Sequence, residues 1–152
     1  MLDILFLDID GVLNSVVWFE RLYKKRGFFK NDHKLDPKAV KNLVSILEKT
    51  GCKVVISSAM RILYSKEYMV RMMLRAGMPY RYMDRFIGIT PIHHDRNRGN
   101  EIREYLSKND VGRYVVIDDD SKDLVGLPLV KTRYSVGLRD KELVGEICSI
   151  LM

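Results

Sequence analysis

Little in this chain can cross-link it. Only two cysteines occur in 152 residues, Cys52 and Cys148, widely spaced and each inside an apolar pattern. That excludes a disulfide-built scaffold and leaves reduced core thiols in a cytoplasmic protein as the expectation. No Cys/His spacing of the zinc kind is present. His93 and His94 are adjacent, so they point in different directions, and a loop is their expected place. No apolar run approaches the roughly 20 residues of a membrane helix. The first apolar run has no basic leader and is interrupted by Asp3, Asp8 and Asp10, so it does not read as a signal peptide. Repeats, low-complexity tracts and Pro/Gly linkers are missing too, which predicts one domain over residues 1–152.

What is present is an ordinary globular composition, 47% hydrophobic and 30% charged, which argues against disorder. The net charge of +6 and a pI near 9.3 favour polyanionic partners through long-range attraction. One basic cluster is dense: Arg21, Lys24, Lys25, Arg26 and Lys30. A solvated basic face accounts for it equally well.

Apolar runs of strand type alternate with helical patterns, the signature of a parallel sheet covered on both sides. Strands are predicted at 3–9, 53–57, 86–89, 113–117 and 129–131. Helices are predicted from Asp36 (N-cap) and Pro37 to the left-handed cap Gly51, then over 66–76, over 99–108, and at the C-terminus. Met69, Met72 and Met73 form a stripe better read as core than as a binding surface. This order puts Asp8, Ser57 and Asp118 at the carboxyl ends of strands, where open α/β sheets bind ligands.

Four places carry chemistry. The first is MLDILFLDIDGVLN, a strand run ending in Asp8 and Asp10, with Gly11 free to turn. Residues two apart on a strand share a side, so the two carboxylates are expected to meet, raising one pKa unless a cation lies between them. A nucleophile beside a proton carrier is what phosphoryl transfer through an aspartyl-phosphate needs. The second is KVVIS, whose Ser57, or Ser58 after it, offers a hydroxyl to a phosphoryl oxygen. The third is RNRGNEI, where Arg98, with Arg96 as rival, supplies positive charge; Arg61 in SSAMR is either a further contact or a surface residue. The fourth is VVIDDDSKD: three consecutive acids after a buried strand call for a hard divalent cation, Mg²⁺. Asp120 is expected to cap a helix.

Together these motifs resemble the haloacid dehalogenase-like (HAD) superfamily, whose first motif is a hydrophobic run followed by DxDGxL. The resemblance implies an α/β, three-layer Rossmannoid sandwich with a mostly parallel sheet. It implies Asp8 as nucleophile and Asp10 as general acid/base, with the Asp10 carbonyl also reaching the metal. Dehalogenase members lack the second acid, so Asp10 argues for a phosphatase. The fourth motif implies Asp119 as direct ligand, Asp118 next, and Asp123 as outer support. LDIDGVLN, VISSxxR, the RG…EI segment and the DDD run are most similar to small phosphatase domains associated with RNA-repair proteins. Met60 stands where those often have Trp, and Asn100 interrupts their RGEEI, departures that touch substrate contact and packing more than chemistry.

The stretch between Asn14 and Asp36 is too short for a cap domain, so a small flap over about 14–35 is expected, containing Val16, Val17, Trp18, Phe19, Tyr23, Phe28 and Phe29. Aromatics beside the basic cluster suit bases and phosphates, which points to nucleotide or nucleic-acid-end phosphates; packing of the same rings onto the core is the equal alternative. Two other readings stay open: a phosphatase of a small phosphorylated metabolite, and a non-catalytic nucleic-acid-binding or interaction module on the same fold.

Overall fold

The computed structural model describes residues 1–26 and 33–152. Strand β1 (Leu2–Leu7) sends Leu5 and Leu7 to one face of the sheet and Ile4 and Phe6 to the other, as alternation requires. All four are buried, because helices cover both faces. Helices α2 (Pro37–Thr50), α3 (Lys66–Arg75) and α5 (Glu142–Leu151) pack on the Leu5/Leu7 face. Helix α4 (Arg98–Lys108) covers the other through Ile102 and Tyr105, whose ring meets Phe6 edge-on at 5.6 Å between centroids. Met69, Met72 and Met73 are core residues, and Cys52 and Cys148 are buried free thiols.

The sheet runs β3 (Phe86–Ile89), β2 (Lys53–Ile56), β1, β4 (Val111–Asp118), β5 (Leu129–Lys131), every neighbouring pair parallel. This is an α/β three-layer fold, with the strand order reversing direction of travel between β1 and β4. Ligands of such sheets sit at that switch.

Local signals explain α2 well. Asp36 accepts from the Lys38 N–H at 3.0 Å, Pro37 begins the helix, and Gly51 (φ 69°) ends it. The Asp36 carboxylate also takes a two-pronged contact from Arg139, at 2.9 and 3.0 Å, tying α2 to the segment before α5. Among the described residues, no helix is long and apolar enough to cross a membrane.

Part of the expected flap is a helix, α1 (Val16–Arg26). Trp18 is half-buried there, and its indole N–H donates to the Lys34 carbonyl at 2.9 Å, so this ring is engaged in packing. Tyr23 is the exposed aromatic of α1. Phe28, Phe29 and Lys30 lie outside the described residues, as does the side chain of Arg26.

Candidate active site

The chain leaves β1 at Asp8, whose N–H donates to the Ile117 carbonyl of β4 at 3.0 Å. A turn follows at once: the Ile9 carbonyl accepts from Val12 at 3.1 Å and Leu13 at 2.8 Å, and Gly11 adopts φ 79°. That early turn separates the two acids of the first motif. Asp8 is buried, whereas Asp10 is exposed and its carboxylate accepts from Asn14 Nδ2 at 3.0 Å. The expectation that Asp8 and Asp10 face each other is therefore corrected. Asn14 Oδ1 also accepts from the Gly11 N–H at 2.9 Å, so one side chain holds both the turn and Asp10.

The acids that do meet Asp8 come from the end of β4. Asp8, Asp118 and Asp119 each offer a carboxylate oxygen, all within 4.8 Å of one another. Gly11 makes this possible: a Cβ there would lie 2.2 Å from Asp119 Oδ2, and its φ is one that L side chains rarely adopt. Burial, then the charge of Asp118, pushes the Asp8 carboxyl well above the usual carboxylate value, with Arg98 opposing. Burial and Asp118 raise Asp119 as well.

Arg98, the first residue of α4, bonds Asp118 and reaches Asp8 Oδ2 at 3.5 Å. Burial alone would depress its pKa; Asp8 and Asp118 outweigh that and hold the guanidinium charged. Arg96 is exposed, with φ 57°, and has no carboxylate partner among the described residues. Gly99 lets the Asp119–Pro128 loop lie against the start of α4, since a Cβ would sit 2.0 Å from the Asp123 carbonyl. A Gly99→Ala substitution is expected to displace that loop and cost about 1–3 kcal/mol, the scale of overpacking, measured by urea unfolding.

Beside Asp8 in the sheet register stands Ser57, whose N–H donates to the Leu7 carbonyl at 2.9 Å. Its hydroxyl is fully buried and has no partner among the described residues. Ser58 differs: its Oγ accepts from Met60 N at 3.2 Å and caps a 3₁₀ turn over Ala59–Ile62. The two candidate serines thus separate into one free hydroxyl and one occupied in capping. Thr90, at the end of β3, repeats the Ser57 pattern with a second buried, partnerless hydroxyl. A buried hydroxyl without a bond costs about 1–3 kcal/mol, so Ser57 and Thr90 each keep a hydroxyl available for hydrogen bonding at a strand end.

Arg61 is neither a surface arginine nor free to meet substrate. It donates to the carbonyls of Ser57, Ser58, Thr90 and Pro91 and pairs with Glu101 Oε1 at 2.7 Å, both side chains almost wholly buried. Glu101 Oε2 accepts from the His93 N–H at 2.8 Å. This pair clamps the ends of β2 and β3 to α4 and so fixes the floor under Ser57, Thr90 and Arg98. Asp123 stands outside the acidic triad, contributing its backbone at Gly99. Asp120 caps no helix: its carboxylate accepts from Lys122 N at 2.9 Å in a turn, because the chain runs as a loop to β5.

Thr90, Thr132, Asn14 and Glu101 were not singled out by the sequence. Thr90 and Thr132 were findable, since each directly follows a strand, as Asp8 and Ser57 do. Asn14 and Glu101 act through partners that only folding supplies.

A parallel sheet in the order 3-2-1-4-5, with acids after its first and fourth strands and a hydroxyl after its second, defines a HAD-like α/β domain. The chain belongs to the family of HAD domains in Swiss Army Knife RNA repair proteins, whose model matches residues 4–143. No curated protein and no solved structure matches it.

Proposed function

We propose that this domain is a Mg²⁺-dependent phosphohydrolase working through an aspartyl-phosphate, on the phosphates of nucleotides or nucleic-acid ends. The observation that carries it is the buried Asp8 carboxylate facing Asp118 and Asp119, bridged by Arg98 and flanked by the partnerless Ser57 hydroxyl. An all-carboxylate donor set this compact fits a hard divalent ion, held by Asp8, Asp118 and Asp119 together with the Asp10 carbonyl implied by the family. Bound there, Mg²⁺ supplies charge neutralisation to the phosphoryl oxygens.

The chain's own groups supply the rest. An Asp8 oxygen attacks phosphorus in line, and the bond to the leaving oxygen breaks. Asp10, solvent-facing and oriented by Asn14, gives that oxygen its proton. Asp10 then takes a proton from water, the water oxygen attacks phosphorus, and the Asp8–phosphoryl bond breaks to release inorganic phosphate. Ser57 donates to one phosphoryl oxygen, and Arg98 stabilises the charge on another. The family's occurrence in RNA repair proteins and the net positive charge of the chain support the choice of nucleic-acid ends.

The test is phosphate release from an aryl phosphate, a sugar phosphate, a nucleoside monophosphate and a terminally phosphorylated oligonucleotide, each with Mg²⁺ and with EDTA. Metal-dependent turnover favouring the nucleotide substrates is expected. Preference for the sugar phosphate would reassign the enzyme to metabolites. Oligonucleotide binding without any turnover would make it a binding module.

A further inference from the structure

The segment after β5 forms one wall of a cleft that begins at the acidic triad. This cleft, about 610 Å³, is lined by Asp119, Lys131, Thr132, Arg133, Tyr134 and Ser135. Its backbone is fastened along the loop that follows Asp10. Thr132 Oγ1 donates to the Gly11 carbonyl at 2.7 Å, and Leu138 N donates to the Val12 carbonyl at 2.8 Å. At the start of α1, Val16 N donates to the Tyr134 carbonyl at 3.3 Å and Val17 N to the Ser135 carbonyl at 3.0 Å. Gly137 (φ 65°) closes the fit, since a Cβ there would lie 2.7 Å from the Val12 carbonyl.

With the backbone so occupied, the side chains are left outward. Tyr134 is 59% exposed, and Lys131 and Arg133 are exposed with no hydrogen-bond or ion-pair partner among the described residues. The wall thus carries two cations without ion-pair partners among the described residues and one open ring in the cleft that Asp119 lines. Cations that served only to balance the acids would lie on them, as Arg98 does.

We infer that Lys131, Arg133 and Tyr134 form the subsite for the leaving group, holding the strand next to the scissile phosphate of a single-stranded nucleic-acid end. The inference rests on the phosphohydrolase reading for its chemistry and adds the residues that select the substrate. Asp119 of the triad lines the same cleft as Lys131, Arg133 and Tyr134, and the part of a substrate beyond its phosphoryl group is the leaving group; what lies in this cleft is therefore the leaving group. The adjoining phosphodiester pairs with Lys131 and Arg133, while its base stacks on Tyr134. A sugar phosphate has neither a second anion nor a base to offer here.

The experiment pairs kinetics with binding. Lys131→Ala/Arg133→Ala and Tyr134→Ala are compared with wild type, with melting curves to verify folding. Phosphate release is measured from a short phosphorylated oligonucleotide and from an aryl phosphate. The ratio of their kcat/KM values is expected to fall about 10-fold or more in each variant, the scale of one lost stacking contact or more. Binding of the labelled oligonucleotide is followed by fluorescence anisotropy on an Asp8→Asn background. Its log Kd against log salt is expected to lose a slope of about 0.7 in the double variant, as one neutralised phosphate on a single strand requires. A Lys38→Ala/Lys41→Ala control, which removes equal charge from exposed positions on α2, is expected to leave the kinetic ratio unchanged.

Equal loss on both substrates, or a control that matches the double variant, would overturn the subsite while leaving the phosphatase intact. Weakened anisotropy in the variants of a wild type that hydrolyses neither substrate would sustain the subsite and overturn the chemistry. Unaltered binding and unaltered ratios overturn the subsite outright.

Discussion

An Asp8→Asn variant is expected to release phosphate roughly 10⁴-fold more slowly or worse, the scale seen when a nucleophile is removed. The amide keeps the size of the side chain but cannot form the acyl-phosphate bond. The same substitution is expected to raise the melting temperature of the metal-free protein near neutral pH. Asp8 is buried beside Asp118 and Asp119, and its folded pKa is pushed up, first by burial and then by Asp118. A group with a raised carboxyl pKa binds more protons folded than unfolded. Its contribution to stability therefore falls as pH rises from the ordinary carboxylate value through the folded value, and stays low above it. Melting curves across that window, in EDTA, are expected to slope downward with pH in wild type and less so in Asp8→Asn. Adding Mg²⁺ is expected to raise the wild-type melting temperature more than that of the variant, since the ion binds the folded triad. A variant that keeps its turnover would remove Asp8 from the chemistry; one that melts lower in EDTA would show that the triad is not under repulsion.

The second large effect is expected at Arg61. Truncation to Ala leaves Glu101 charged and buried, and releases the carbonyls of Ser57, Ser58, Thr90 and Pro91. Breaking one side of a buried pair costs about 3–5 kcal/mol, because the remaining charge has no partner. Urea unfolding of Arg61→Ala is expected to show a loss of that order. The double variant Arg61→Met/Glu101→Leu is expected to recover the part owed to the uncompensated Glu101 charge and not the part owed to the four carbonyls, which stay without their donor. Turnover is expected to stay low in the double variant, because the β2 and β3 ends are no longer clamped to α4. Full recovery of both stability and turnover would show that the pair plays no part in positioning Ser57 or Arg98. A loss below about 1 kcal/mol in the single variant would show that the pair is solvated and contributes as surface pairs do.

Much of this protein was determined by sequence alone, wherever the governing interactions are local. Alternating apolar runs fix the strands, and Asp36–Pro37 with Gly51 bound α2, because caps and turns act within a few residues. Strand ends place Asp8, Ser57 and Asp118 on one edge for the same reason. Which side chains then meet was decided by the tertiary structure. Asp8 and Asp10 are two apart, yet a turn at Ile9–Leu13 parts them, and Asp8 meets Asp118 and Asp119 across the β1–β4 ladder instead. Counting along the strand favours Ser57 over Ser58 by one residue only; a 3₁₀ turn engages the Ser58 hydroxyl and leaves that of Ser57 bare. Arg98 and Arg96 differ only in that α4 begins at Arg98 and aims it at the acids. Arg61 became a buried clamp because Glu101 arrives from a distant helix. Charge pairing over such separations depends on distances that only the packed sheet sets, and no periodicity along the chain encodes them.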